Sequence, residues 1–521
     1  MHKSARNSSR PRTDFFRHPG SRGGYHANWR WRWDLTVRPQ IENLEARVRD
    51  IQDIVPSLHH MLRPVHKLSP EILSRIARCL LDEDAIDSGS IIPLTHVCRR
   101  WRESIVSAPE NWTLISNERV RLAKLSLERC RAAPLKLWLD ASQARSNPSF
   151  WDLMTPFAQT TETLRLGPLS SIEELAQILP NFPQSMPNLR SLSLSKHINW
   201  RQSGDPFGQL TPGLTRLSLV GFPLYPSFLA LRNLRVLMLR NYHLDLHCDT
   251  LLGFLEENPS LESATLEIQF SHNSFRISQR QVVITNRLRN LSIGSANVED
   301  NQTLISRIAL QRGAHLEITH RGRNVELGDA LSAISMNHLS NLQSPTSMEY
   351  HPYQRRIRLS GSSGSFSYSC PFGQVGPFVE FPLLPLTGIR EFRLVRHVPA
   401  PVEHPMHAIE FPPSSLPVLE VLIIEHELKT SHLLSALFSD PSSFPLFKTL
   451  AFLDCDLTDG FIEDLARFAC NRKNTTSAWL YRVVIVSSNR NFPSVTSIDA
   501  LQRDVPVVDI RIGSQLPTDL M

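Results

Sequence analysis

The sequence has no apolar run near the roughly 18 residues that a membrane span needs, and no apolar core follows its charged first residues. Membrane insertion and secretion are therefore not expected. The seven cysteines, Cys79, Cys98, Cys130, Cys248, Cys370, Cys455 and Cys470, form no C-x-x-C pair and no His-flanked cluster. That spacing speaks against a zinc site or a disulfide framework, and for a reduced compartment, cytoplasmic and/or nuclear. No G-x-S-x-G elbow, phosphate-cradling P-loop, H-E-x-x-H helix or paired catalytic carboxylate stands out. The chain reads as non-enzymatic, with no cofactor and no metal. "DCDLTDG", with Asp454, Asp456 and Asp459, lacks the closing Glu of a calcium loop and reads as a turn.

Positive charge is scarce outside the N-terminus. Residues 1–33 carry eight Lys/Arg against the single Asp14, more than the whole chain's net charge of +6, so the remainder is close to neutral. A near-neutral body offers little to a phosphate backbone, and no nucleic-acid partner is expected. The tail mixes Arg, Ser, Gly and Pro without a hydrophobic period, the composition of a disordered segment. From Ile41 the pattern changes. Leu44, Val48, Ile51, Val55, Leu58, Leu62 and Val65 recur at steps of three and four, a heptad-like helix over 34–63 interrupted by Pro56.

Two short amphipathic helices are expected next. In "HKLSPEILSRIARCLL", Ser69 caps, Pro70 suits the first turn, and Leu68, Ile72, Leu73, Ile76 and Leu80 form a stripe. In "PLTHVCRRWRESIVSAPENW" the spacing predicts one helix from Pro93, with Leu94, Val97, Cys98, Trp101 and Ile105 on one face. Arg99, Arg100 and Arg102 point elsewhere, and Cys98 on an apolar stripe reads as a small core residue rather than a reactive thiol.

Beyond residue 160 short strands of the form L-x-x-L-x-L recur. They are "NLRSLSL" (Leu189), "GLTRLSL" (Leu214), "NLRVLML" (Leu234), "RLRNLSI" (Leu288), "GIREFRL" (Ile389), "VLEVLII" (Leu419), "LFKTLAF" (Phe447) and "WLYRVVI" (Leu480). Where the array is unbroken, neighbouring copies start 20 to 33 residues apart, with helical pieces such as "DTLLGFLEENP" between strands. This is the spacing of leucine-rich repeats, whose units cannot bury their own apolar edge and must stack. The helices and the one-sided leucine pattern speak against a β-propeller and a doubly wound domain. Residues 322–386, rich in Ser, Gly and Pro, read as an insertion or a degraded repeat.

"LSPEILSRIARCL" followed by "IIPLTHVCRRWRESIVSAPENWTLI" resembles an F-box of the type abundant in mushroom-forming fungi, with its upstream heptad helix and downstream leucine-rich repeats. The resemblance implies an α+β multidomain chain: a small all-α F-box helical domain over 64–115, then an irregular α/β leucine-rich-repeat solenoid over 116–521. It implies a substrate-recognition subunit that binds the Skp-family adaptor of a cullin-RING ubiquitin ligase. Carried over by position, Leu68, Pro70, Ile72, Leu73, Ile76, Leu94, Val97, Cys98 and Trp101 would form the adaptor surface and its core. The chain departs at Ala77, where many members carry phenylalanine. Losing that volume from a packed contact costs roughly 2–5 kcal/mol unless neighbours fill the space. The repeats would hold an unknown protein substrate. Arg190, Arg216, Arg235, Arg289, Arg390 and Lys448 suit an acidic or phosphorylated one, and an ordinary solvated strand surface suits the same residues. The alternative is a leucine-rich-repeat scaffold outside any ligase, its helical module an N-terminal cap.

Overall fold

The computed structural model describes residues 45, 68–82, 91–146, 148–169, 178, 186–196, 213–222, 224–244, 248–270, 283–322, 344–351, 356–369, 386–395, 416–425, 444–455, 457–475, 479–487 and 493–512. The expected basic tail at 1–33 and almost all of the heptad-like helix at 34–63 lie outside the described residues. The chain divides into two compact units, one of residues 1–79 with 92–105 and one of 80–91 with 106–521.

α1 (Pro70–Asp82), of which residues 70–79 belong to the first unit, starts where the sequence signals it. The Leu73 amide donates to the Ser69 carbonyl at 3.1 Å. A hydrogen bond with the Ser69 side chain holds the Glu71 carboxyl below its usual range. The single helix expected from Pro93 is instead two, α2 (Ile91–Thr95) and α3 (Arg99–Ser107). The break has a local cause. Thr95 Oγ1 bonds back to the Ile92 carbonyl at 2.7 Å, and the Arg102 guanidinium occupies the Thr95 carbonyl at 3.0 Å. That carbonyl would otherwise receive a helical amide.

The second unit is built on strands. In order they are β1 (Leu114–Ser116), β2 (Leu135–Leu139), β3 (Thr161–Leu169), β4 (Ser191–Lys196), β5 (Arg216–Val220), β6 (Val236–Leu244) and β7 (Ser263–Phe270). There follow β8 (Val283–Thr285), β9 (Asn290–Ser295), β10 (Ile308–Leu310), β11 (His315–His320), β12 (Ser347–His351), β13 (Arg356–Gly361) and β14 (Gly364–Ser369). The last are β15 (Glu391–Val395), β16 (Val421–Glu425), β17 (Thr449–Leu453), β18 (Arg482–Ser487) and β19 (Val507–Ile512). Seventeen of them form one sheet. Successive pairings lead from β1 through β2, β3, β4, β5, β6, β7 and β9 to β11. They continue through β14, β13, β12, β15, β16, β17 and β18 to β19. The order is linear, and the sheet is not a closed barrel. Every pairing is parallel except those of β13 with β12 and β14. β8 and β10 pair separately.

The register explains why. Leu192, Leu217, Leu237, Ala264, Leu291 and Leu316 stand side by side, as do Leu194, Leu219, Leu239, Leu266, Ile293 and Ile318. All are buried. A third buried row, Leu189, Leu214, Leu234, Leu261 and Leu288, precedes the strands. Helices cover this face: in the C-terminal part the ring of Phe461, on α7 (Asp459–Thr475 here, after α4 Val120–Cys130, α5 Cys248–Glu256 and α6 Val298–Ile305), packs edge-on against Phe452 at 5.4 Å. Full burial of a Leu-sized side chain is worth about 1.5–3 kcal/mol, so the rows are the main source of cohesion.

Polar side chains tie adjacent units together. Buried Asn258 donates to the Leu231 and Phe254 carbonyls and accepts from the Leu234 amide, all within 3.1 Å. Asn117 and Asp140, which follow β1 and β2, exchange two hydrogen bonds of 2.7 and 2.9 Å. Arg472, wholly buried in α7, donates to the Phe444 and Phe447 carbonyls ahead of β17. Within 322–386 the Ser/Gly-rich stretch forms the hairpin β13–β14, where Gly364 adopts φ 136°. Among the described residues no helix is long and apolar enough to cross a membrane.

Leu266→Ala should destabilise the second unit by roughly 2–5 kcal/mol, whereas Thr265→Ala, on the opposite face, should cost less than about 0.5 kcal/mol. Urea denaturation of both variants checks this.

Candidate functional site

The nine residues expected to form an adaptor surface divide by burial. Leu73 and Trp101 are buried, as are Ala77 and Ile105, which supply the interior of the helical unit. Leu68, Ile76, Leu94 and Cys98 are half-buried, and Pro70 is exposed. Ile72 is 43% and Val97 51% exposed, large values for β-branched apolar side chains. The helix break moves Val97 off the stripe it was expected to share with Trp101 and leaves it facing water. The arginines that carry no diagnostic pattern in the sequence do structural work: Arg100 donates to the Leu68 carbonyl at 2.6 Å and Arg102 to that of Thr95. Arg99 pairs with Glu103 one helical turn away at 2.7 Å, an exposed pair of little worth.

The six basic residues of the repeats are not one ladder. Backbone hydrogen bonds align Arg190, Arg235 and Arg289 in a column at the strand starts, and Arg390 and Lys448 in its continuation. The same column contains Glu162, Glu262 and Glu420, lying 3.7, 3.9 and 3.6 Å from Arg190, Arg235 and Arg390. Acidic residues are interspersed with the basic ones, and exposed pairs of this kind contribute about 0–1 kcal/mol each. Arg216 stands one residue further on, beside Ser191 and Val236.

The sheet face opposite the leucine rows carries a ladder that the sequence pattern does not reveal. Neighbouring positions run Ser193, Ser218, Met238, Thr265, Ser292, Glu317, Ser367, Arg358, Glu349 and Arg393. They continue as Ile423, Ala451 and Val484. Hydroxyls give way to charges and then to apolar groups. Ser292 Oγ donates to Glu317 at 3.2 Å and Arg356 Nε to Ser367 Oγ at 3.0 Å. Arg393 makes two bonds, of 2.8 and 3.0 Å, to one Glu425 oxygen. The His351 hydrogen bond lowers the pKa of Glu349, while burial raises that of Glu391. At the far end Ile423, Ala451, Leu453, Val484 and Val486 form a buried apolar cluster. The signal for this ladder lay in the variable positions of the strands, which become neighbours only once register is known.

Burial pushes the Cys248 thiol up to about 11, away from thiolate. Among the described residues no group of His, Cys, Asp and Glu could hold a metal ion. Asp459 instead accepts the Ser494 amide at 2.6 Å. No family model matches this chain, and no curated protein matches it.

His320 is buried at the end of β11, beside Ser295, whose Oγ donates to buried Asp300 at 2.9 Å. Among the described residues neither ring nitrogen has a hydrogen-bond partner, and burial lowers the pKa below the ordinary 6.5. The unfolded chain therefore takes up a proton first as pH falls. Stability from the neutral ring is complete above about pH 6.5 and is lost progressively from there down to the lowered folded pKa. His320→Gln should flatten this part of the pH dependence, measured by urea unfolding between about pH 5 and 8.

Proposed function

We propose that this chain is the substrate-recognition subunit of a cullin-RING ubiquitin ligase: an F-box-like helical unit that binds the Skp-family adaptor, joined to an irregular leucine-rich-repeat solenoid that holds a target protein. The observation that carries the reading is the exposure of Ile72 and Val97 on a small helical unit whose Leu73, Ala77, Trp101 and Ile105 are already buried. An apolar pair left in water on so small a unit calls for a partner, and covering each side chain is worth about 1.5–3 kcal/mol. The linear, mostly parallel sheet supports the second half, because the face opposite its leucine rows sets the variable side chains of successive strands side by side. No catalytic group is required of such a subunit. It raises the effective concentration of the target's lysines near a ubiquitin donor.

The burial pattern chooses the test. Leu73→Asp would place a charge in the interior and unfold the unit, so Ile72→Asp and Val97→Asp are the informative changes. In co-purification with the Skp-family adaptor, the wild-type chain should retain the adaptor. Each variant should weaken capture by roughly 10-fold or more with an unchanged circular dichroism spectrum. A wild-type chain that captures no adaptor, under conditions where other F-box proteins do, leaves a leucine-rich-repeat scaffold outside the ligase as the function.

A further inference from the structure

Among the described strands the sheet ends at β19. Val508 and Ile510 continue the leucine rows of Val483 and Ile485. Val483 and Ile485 are buried, but Val508 and Ile510 are only half-buried and Ile512 is 71% exposed. Among the described residues no strand pairs with the outer edge of β19. The Val507 amide donates to the Tyr481 carbonyl on the β18 side. Strand alternation then turns the N–H and C=O groups of Val508, Ile510 and Ile512 outward. Exposed edges of this kind pair with other strands unless they are blunted, commonly by charge.

Here the charges are Asp509 and Arg511, of opposite sign and placed symmetrically about Ile510. We propose that β19 is the contact between two copies of this chain, which pair antiparallel about a two-fold axis at Ile510. In that register Ile510 faces its counterpart, Val508 faces Ile512 of the second copy, and Asp509 faces the second copy's Arg511. The outward-turned residues meet one another, as an antiparallel ladder requires. Slipping the register by one step in either direction sets Asp509 against Asp509 or Arg511 against Arg511, so charge selects a single alignment. The interface is isologous and closes at two copies. Asp509 already lies 2.8 Å from Arg511 and 3.3 Å from Arg482 within the chain, so pairing extends an existing cluster rather than desolvating a lone charge. The proposal stands independently of the ligase reading.

Sedimentation velocity on the full chain is the test. The wild type should be a dimer at micromolar concentration. Asp509→Arg and Arg511→Asp each bring like charges together twice, and each alone should raise the dissociation constant about 10-fold or more. Mixed in equal amounts, the two variants restore both attractive pairs, and a dimer holding one copy of each should return. Ile510→Pro removes an outward N–H while leaving the β18 pairing intact, and should give a folded monomer. A wild-type monomer, a dimer indifferent to Ile510→Pro, or two monomeric variants that fail to combine would overturn the proposal.

Discussion

Everything in the larger unit depends on keeping its leucine-type rows in register. No strand with its helix can bury its own apolar edge, so each pair of side chains, such as Leu217 and Leu219, is covered only when the neighbouring pairs line up beside it. A slip of one residue would turn every leucine to the opposite face. That constraint fixes the other features. It puts the variable residues in a row on the second face, sets the charged residues at the strand starts into a column, and leaves β19 with half-buried apolar groups because nothing described follows it. Asn117, Asn258 and Arg472 act on the same constraint, clamping one repeat's turn to the next with buried hydrogen bonds.

Much of this was legible in the sequence. All eight stretches of the L-x-x-L-x-L form are strands, and their order along the chain is their order in the sheet. Several strands outside the eight stretches have one of the three positions not leucine-like, whereas β19, with Val505, Val508 and Ile510, fits the pattern. Thr161 takes the first position at β3 and Gly313 at β11, and Ala264 takes the second at β7. Two buried residues per strand suffice for stacking, so the three-position pattern was too strict. The first strand, Leu114–Ser116, was hidden because the stretch that carries the F-box resemblance runs into it as far as Ile115. The inserted hairpin was hidden because Ser and Gly signal a loop even where Ile357, Leu359, Phe366 and Tyr368 alternate as a strand pair should.

Site residues were harder to read, for a different reason. A linear sequence shows Arg190, Arg235 and Arg390 as a basic series but not that Glu162, Glu262 and Glu420 fall beside them. Cross-strand neighbours are set by register, which no local window contains. Helical periodicity likewise placed Val97 with Trp101, because periodicity assumes an unbroken helix and Thr95 breaks it. Ala77 gains a clearer meaning. It is wholly buried, so the smaller side chain at the position where the F-box resemblance expects phenylalanine concerns interior packing and not the exposed Ile72 and Val97.

In the proposed function the helical unit receives the adaptor while the sheet stays free for a target. Hydrogen exchange on the full chain, with and without saturating Skp-family adaptor, tests it most directly, because amide protection reports locally where a partner has docked. Slowed exchange within residues 68–79 and 92–105, with unchanged exchange along β1 to β19, is the expected result. Protection confined to the sheet, or no change at either helical segment, would contradict it.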